Sequence, residues 1–282
     1  MLYSRIRLSE LECRGLEEAQ QLLQAYIDEL LTGSPKPRGV LCTIPSRIEV
    51  LGLYTPYTGT ATHRRITGGP PIAGEDLTYI GVTLLYPGLL KSLYREAVRA
   101  VQRAGGLVYG GEADLPGSRA VIGVTKMGGV GVVELLGSSR DALLEVLRGI
   151  YKVVDVAQVG LGEEVLRAAG GYRSGSWIRY PGPSAGLTAR AGREGFSISM
   201  SARLHDQYLV DVAVTGNFYA APPSEPFNLA ARLEGTQLNE LMFYQTKLAW
   251  RSRADVAGIE FEDVDSVMDE LYTLLAGAPG NS

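Results

Sequence analysis

Between two apolar runs that read as strands, residues 47–53 and 77–85, the chain places His63-Arg64-Arg65-Ile66-Thr67-Gly68-Gly69-Pro70-Pro71-Ile72-Ala73-Gly74-Glu75-Asp76. Whatever the fold, it must carry two adjacent arginines and two adjacent glycines from one strand into the next. Glycine has no Cβ and lets a backbone come close to another group, while arginine offers a planar fork of donors to phosphate or carboxylate. That pattern outlines a loop for an anionic ligand. The same residues also suit a polar surface turn that happens to carry charge.

The rest of the chain alternates short β runs with amphipathic helices. A strand is expected over 3–8, and a helix over 16–31, where Leu16, Ala19, Leu22, Leu23, Tyr26, Ile27 and Leu30 recur at helical spacing before Gly33. Short strands are expected over 40–44 and 48–53, with Pro45 between them. Pro87 opens a helix over 89–104, ended by Gly105-Gly106. Strands follow over 107–109, 119–125 and 130–136, the last two joined by a tight turn at Lys126-Met127-Gly128-Gly129. A helix over 140–151 begins near Ser139 or Asp141. Residues 168–191 are rich in Gly, Ser, Pro and Arg, as a domain linker would be, so two units are expected, 1–180 and 181–282. In the second, strands over 196–204 and 208–215 pair as a hairpin around His205-Asp206-Gln207, and helices are expected over 228–240 and 264–275. The fold class is α+β, a mixed or antiparallel sheet with flanking helices plus a small α+β C-terminal domain.

The 282 residues suffice for a substantial core, and 27 Lys and Arg against 31 Asp and Glu leave a net charge of −4, which argues against nucleic acid as the main partner. Cys13 and Cys42 are the only cysteines, without a neighbouring Cys or His at metal-ligand spacing. Both read as ordinary thiols in a reducing cytoplasm. No apolar run reaches bilayer or signal-peptide length, so a cytoplasmic protein with no membrane partner is expected.

Taken in order, these parts resemble the lipoate-protein ligases, relatives of the biotin-protein ligases. Arg64-Arg65-Ile66-Thr67-Gly68-Gly69-Pro70-Pro71-Ile72 is similar to the first half of the family's Arg-Arg-x-Ser/Thr-Gly-Gly-Gly-Ala loop. Ala113-Asp114-Leu115 and Lys126-Met127-Gly128-Gly129 resemble its Asn-Asp-Ile/Leu and Lys-Ile-x-Gly motifs. Leu16-Glu17-Glu18-Ala19 is similar to its first helix, and Val214-Thr215-Gly216-Asn217-Phe218-Tyr219 with Leu233-Glu234-Gly235 to its accessory C-terminal domain. The chain departs from the pattern at the third loop glycine, here Pro70, at the His-Asp pair, here Gly74-Glu75-Asp76, and at the Asn, here Ala113. Proline has no N–H, so one backbone donor to a ligand is gone.

The resemblance implies attachment of lipoate to a lysine of an acceptor protein through lipoyl-AMP, with ATP and Mg²⁺. The acceptor would be the E2 lipoyl domain of a 2-oxoacid dehydrogenase or the glycine-cleavage H protein. Such chemistry rests on positioning and charge stabilisation. On this footing Lys126 is the catalytic cation over the acyl phosphate. Arg64, Arg65, Thr67, Gly68, Gly69, Gly128 and Gly129 hold nucleotide and acyl substrate, and Asp114 lies at the nucleotide or the metal. Two further readings stand beside it: a degenerate homologue that binds an acyl group or acceptor without transferring it, and transfer of octanoate or biotin. Biotin ligases carry a Gly-Arg-Gly-Arg-type loop, absent here. Each residue also has an ordinary role open to it: Lys126 a solvated turn lysine, Asp114 the start of the turn at Leu115-Pro116-Gly117. Neither cysteine matches a nucleophile motif, which favours direct activation over a thioester relay.

Overall fold

The computed structural model describes residues 5–33, 36–57, 59–160 and 186–278. Its frame is an eight-stranded mixed sheet in the order β11-β1-β2-β6-β10-β9-β8-β7. The strands are β1 (Ile6–Glu12), β2 (Arg38–Ile44), β6 (Leu77–Leu85), β7 (Leu107–Tyr109), β8 (Glu112–Leu115), β9 (Ser118–Met127), β10 (Val130–Gly137) and β11 (Val154–Gln158). β1 runs parallel to both β2 and β11, and the other pairs are antiparallel. Central β6 and β10 are buried on both faces along almost their whole length, which is why they read as continuous apolar runs.

Helix α1 (Leu16–Leu31) covers one face, packing Leu16, Leu23 and Ile27 on Val40, Cys42, Tyr79 and Val132. Its bounds coincide with those expected from its apolar period. Helices α2 (Leu90–Arg103) and α3 (Arg140–Arg148) cover the other, with Leu93, Ala97, Leu143 and Leu147 against Ile80, Val82, Val124 and Val133. A small sheet, β4 (His63–Arg64), β3 (Ile48–Leu51) and β5 (Ile72–Gly74), carries the arginine and glycine loop onto the α1 face.

After residue 185 the chain forms a three-stranded sheet of β12 (Leu187–Arg193), β13 (Phe196–His205) and β14 (Tyr208–Asn217), with the expected hairpin turning at Asp206-Gln207. β15 (Tyr219–Ala221) pairs with β16 (Asp255–Ala257), and α4 (Glu225–Leu233), α5 (Glu240–Arg253) and α6 (Phe261–Ala276) complete the chain. Its apolar residues join the α2 face in one continuous core.

Several expectations are corrected. The helix expected over 228–240 lies earlier, as α4, which stops at Leu233 before Gly235 at a φ of +72°, and α5 is a further helix that was not expected, started by Asn239, which accepts a bond from the Leu241 N–H at 2.8 Å. The tail of the expected linker, 187–191, is strand β12. The expected boundary at 180/181 and most of that linker lie outside the described residues. Cys13 and Cys42 are not free thiols but a disulfide, with Cα atoms 5.8 Å apart. The cytoplasmic expectation thereby loses the ground it had in cysteine usage. No helix among the described residues is long and apolar enough to cross a membrane.

Candidate functional site

The loop residues lie in the interior, where sequence alone could as well have put them at the surface. Arg64 and Arg65 are 1% and 0% exposed. Arg64 is a clamp: its Nη1 donates to the carbonyls of Gly52 (2.7 Å), Leu53 (3.0 Å) and Thr55 (2.7 Å), while Gln20 on α1 donates to its own carbonyl at 2.8 Å. Burial pushes its guanidinium down to about 10. Committed to three carbonyls, this side chain holds the backbone of 52–55 in place.

Arg65 is different. Its Nη2 donates to the Pro70 carbonyl at 2.7 Å, but Nε and Nη1 are buried without a partner. Burial pulls its pKa down, and the nearby negative charge of Glu134 works against that shift. Nη1 points at the bare Gly123 of β9, where a Cβ would stand 2.8 Å away.

Glu134 was not singled out by sequence, although one acid inside Val130-Gly131-Val132-Val133-Glu134-Leu135-Leu136 is the kind of exception that signals a purpose. It is 0% exposed and opposite Gly123 in the β9–β10 register. Its Oε2 accepts the Thr67 N–H at 3.0 Å and the Thr67 hydroxyl, and its Oε1 accepts the Tyr79 hydroxyl at 2.7 Å. The carboxylate thus staples the loop to the middle of the sheet.

Gly68 and Gly69 do allow a close approach, and the group that approaches is the chain itself. A Cβ on Gly68 would stand 2.0 Å from the Phe218 carbonyl oxygen, and the Gly69 N–H donates to that oxygen at 3.1 Å. Gly69 has a φ of +95° and packs under the Tyr219 ring. Tyr219 donates to the Ile122 carbonyl at 2.7 Å, Phe218 stacks on Tyr54 at 4.7 Å, and Tyr54 donates to the Pro223 carbonyl at 3.0 Å. Burial drives both tyrosine hydroxyls well above their ordinary range. Gly68→Ala is therefore expected to destabilise the protein by about 2–3 kcal/mol, since backbone on both sides must shift. Gly129→Ala, with open space around the site, is expected to stay within about 0.5 kcal/mol of wild type. Urea unfolding of the pair checks this contrast.

Lys126 does not join the group. Alternation along β9 sets Val121 and Gly123 on the α1 and loop face, and Ile122, Val124 and Lys126 on the α2 face. Its Nζ donates to the carbonyl of Gly88, just before α2, at 2.5 Å. Gly128 and Gly129 form the β9–β10 turn as expected, Gly128 at a φ of +58°. Asp114 sits on β8, 79% exposed beside Arg119 at 3.8 Å, near the far end of β9 from Lys126. No group of three metal-ligating side chains occurs among the described residues. His63 bonds Glu17 at 3.0 Å, and His205 lies exposed beside Asp206. The structure thus brings together Arg65, Thr67, Gly68 and Gly69, with Arg64 bracing them, and leaves out Lys126, Asp114, Gly128 and Gly129.

No family profile and no curated protein matches the chain. Among solved structures, P. falciparum LipL1 in complex with lipoate superposes with a TM-score of 0.62 at 8% identity, covering 96% of this chain and 99% of that one. Lipoate-protein ligase A bound with ATP gives 0.47 at 13% identity over 63% of this chain and 99% of its own. A bi-partite lipoate-protein ligase from T. acidophilum gives 0.44 at 13% over 64% and 97%. The first extends over both the large sheet and the C-terminal part, so the chain has a lipoate-ligase-like fold.

Proposed function

We propose that this chain serves protein lipoylation as a binding protein, holding an acyl group or the acceptor protein on a lipoate-ligase fold without forming the acyl adenylate. One observation carries this reading: the Gly68-Gly69 turn is seated on the Phe218 backbone, so the close approach that two glycines permit is already used within the chain. Adenylation also needs cations over the acyl phosphate, and Lys126 faces the opposite side of β9 from Arg65. The acceptor would be a lipoyl domain of a 2-oxoacid dehydrogenase or the glycine-cleavage H protein. Purified chain given lipoate and ATP is expected to exchange no pyrophosphate into ATP, while calorimetry detects lipoate or an acceptor domain. Robust exchange overturns the proposal.

A second reading, ATP-dependent attachment of lipoate through lipoyl-AMP in the cytoplasm, is favoured by a different observation. Two donors of the Arg65 guanidinium are buried and unpaired, a costly arrangement that an anionic oxygen would relieve. It requires residues 67–70 to withdraw from Phe218 and Tyr219. Exchange that is present in wild type and lost in Arg65→Lys would decide for it.

A further inference from the structure

At the β11-β1-β2 edge of the large sheet, on the α1 face, lies a cleft of about 820 Å³, within the roughly 300–1,000 Å³ of small-molecule sites. Its charge follows from the register. Arg7 of β1 lies directly opposite Arg38 of β2 on one side and Asp155 of β11 on the other. Ser9, two residues on from Arg7, bonds Tyr26 of α1, and Arg38 alternates in step with Val40 and Cys42 beneath α1, so both arginines belong to that face. Like charges directly opposite one another on one face destabilise a sheet. Arg5 and Lys36 add two more cations to the wall. Two acids answer the four: Asp155 accepts from Arg5, and Glu29 pairs with Arg38 at 3.3 Å. Arg7 and Lys36 have no ion-pair partner among the described residues.

The floor is polar as well. The hydroxyls of Ser9 and Tyr26, residues 8% and 7% exposed, stand 2.6 Å apart, and that bond uses only one of their two hydrogens. The other finds no acceptor among the described residues. The Tyr26 ring is covered by the Arg38 guanidinium, 5.3 Å from its centroid, and the described lining holds no other ring, so a nucleobase has nothing to stack on. The cleft is separate from the arginine and glycine loop. Helix α1 brings Gln20 to the Arg64 carbonyl and Tyr26 to the cleft, and three strand spacings part β1 from β10, where Glu134 holds Thr67.

We propose that this cleft binds a small hydrophilic polyanion, a molecule whose two or more carboxylate or phosphate groups meet Arg7, Arg38 and Lys36 above the Ser9–Tyr26 hydroxyls. An anion there relieves the Arg7–Arg38 juxtaposition and takes the spare hydroxyl hydrogen. The site stands apart from the acyl- and acceptor-binding reading above and does not depend on it.

The test is calorimetry of the full chain at low salt with sodium citrate and, separately, with sodium tripolyphosphate. Wild type is expected to bind at least one of them, and which one binds identifies the anionic group. Arg7→Gln, at an exposed position, is expected to bind about tenfold more weakly, as the loss of one charge-assisted hydrogen bond accounts for. Arg253→Gln, which removes an equally exposed cation from the end of α5, is expected to bind as wild type does. Failure of wild type to bind either anion overturns the proposal. So does equal binding by wild type and Arg7→Gln, or equal weakening in Arg7→Gln and Arg253→Gln, which would mark attraction to surface charge at large. None of these results bears on lipoate binding or pyrophosphate exchange, which are measured without either anion.

Discussion

Glu134→Ala is expected to cost about 3–5 kcal/mol, a large part of the stability of an ordinary domain. The carboxylate has no exposure, and it satisfies the Thr67 N–H, the Thr67 hydroxyl and the Tyr79 hydroxyl. Truncation strands three buried donors, each at about 1–3 kcal/mol, and takes from the buried Arg65 the nearby negative charge that favours its ionised form. Glu134→Gln keeps the shape and one acceptor and is expected to cost roughly half as much. Urea unfolding at unchanged slope reads both values. A loss below about 1 kcal/mol for Glu134→Ala would show that the loop is held by other contacts, because a surface-like tolerance is incompatible with a buried three-bond acceptor.

Reducing the Cys13–Cys42 bridge is expected to cost about 3–4 kcal/mol. The bond joins the residue just before α1 to the middle of β2 and closes a loop of sequence separation 29, whose freedom in the unfolded chain returns on reduction. The expected record is a lower urea midpoint with a phosphine reductant than without, and an equal midpoint in a Cys13→Ala, Cys42→Ala variant under both conditions. Thiol labelling of the denatured, unreduced protein should find neither cysteine. Full labelling, or a midpoint indifferent to reductant, removes the bridge from the account. The bond was not legible from the sequence because twenty-eight residues, α1 among them, intervene. The parallel β1–β2 register, with Leu11 opposite Cys42, is what brings Cys13 within reach.

Local pattern suffices where one period runs unbroken. The stripe of Leu16, Ala19, Leu23 and Ile27 defines α1 to the residue, and the alternation of 196–204 against 208–215 defines the β13–β14 hairpin. Local pattern does not suffice where a short element depends on a distant partner. β11 is held by β1 and β15 by β16, and neither run is bracketed by glycine pairs as the equally short β7 is by Gly105-Gly106 and Gly110-Gly111. The end of α4 and the start of α5 do carry a local signal, Gly235 and the capping Asn239.

The candidate site divides along the same line. By itself the sequence determined that Arg64, Arg65, Thr67, Gly68 and Gly69 stand together between two apolar runs, because residue type and adjacency suffice for that. Only the tertiary structure decided that this loop is buried, that Glu134 anchors it, that Phe218 occupies the approach its glycines open, and that Lys126 faces away from it. The physical reason is that alternation tells which residues of a strand share a face, but the face each set meets is chosen by elements far along the chain, whose packing no local pattern encodes.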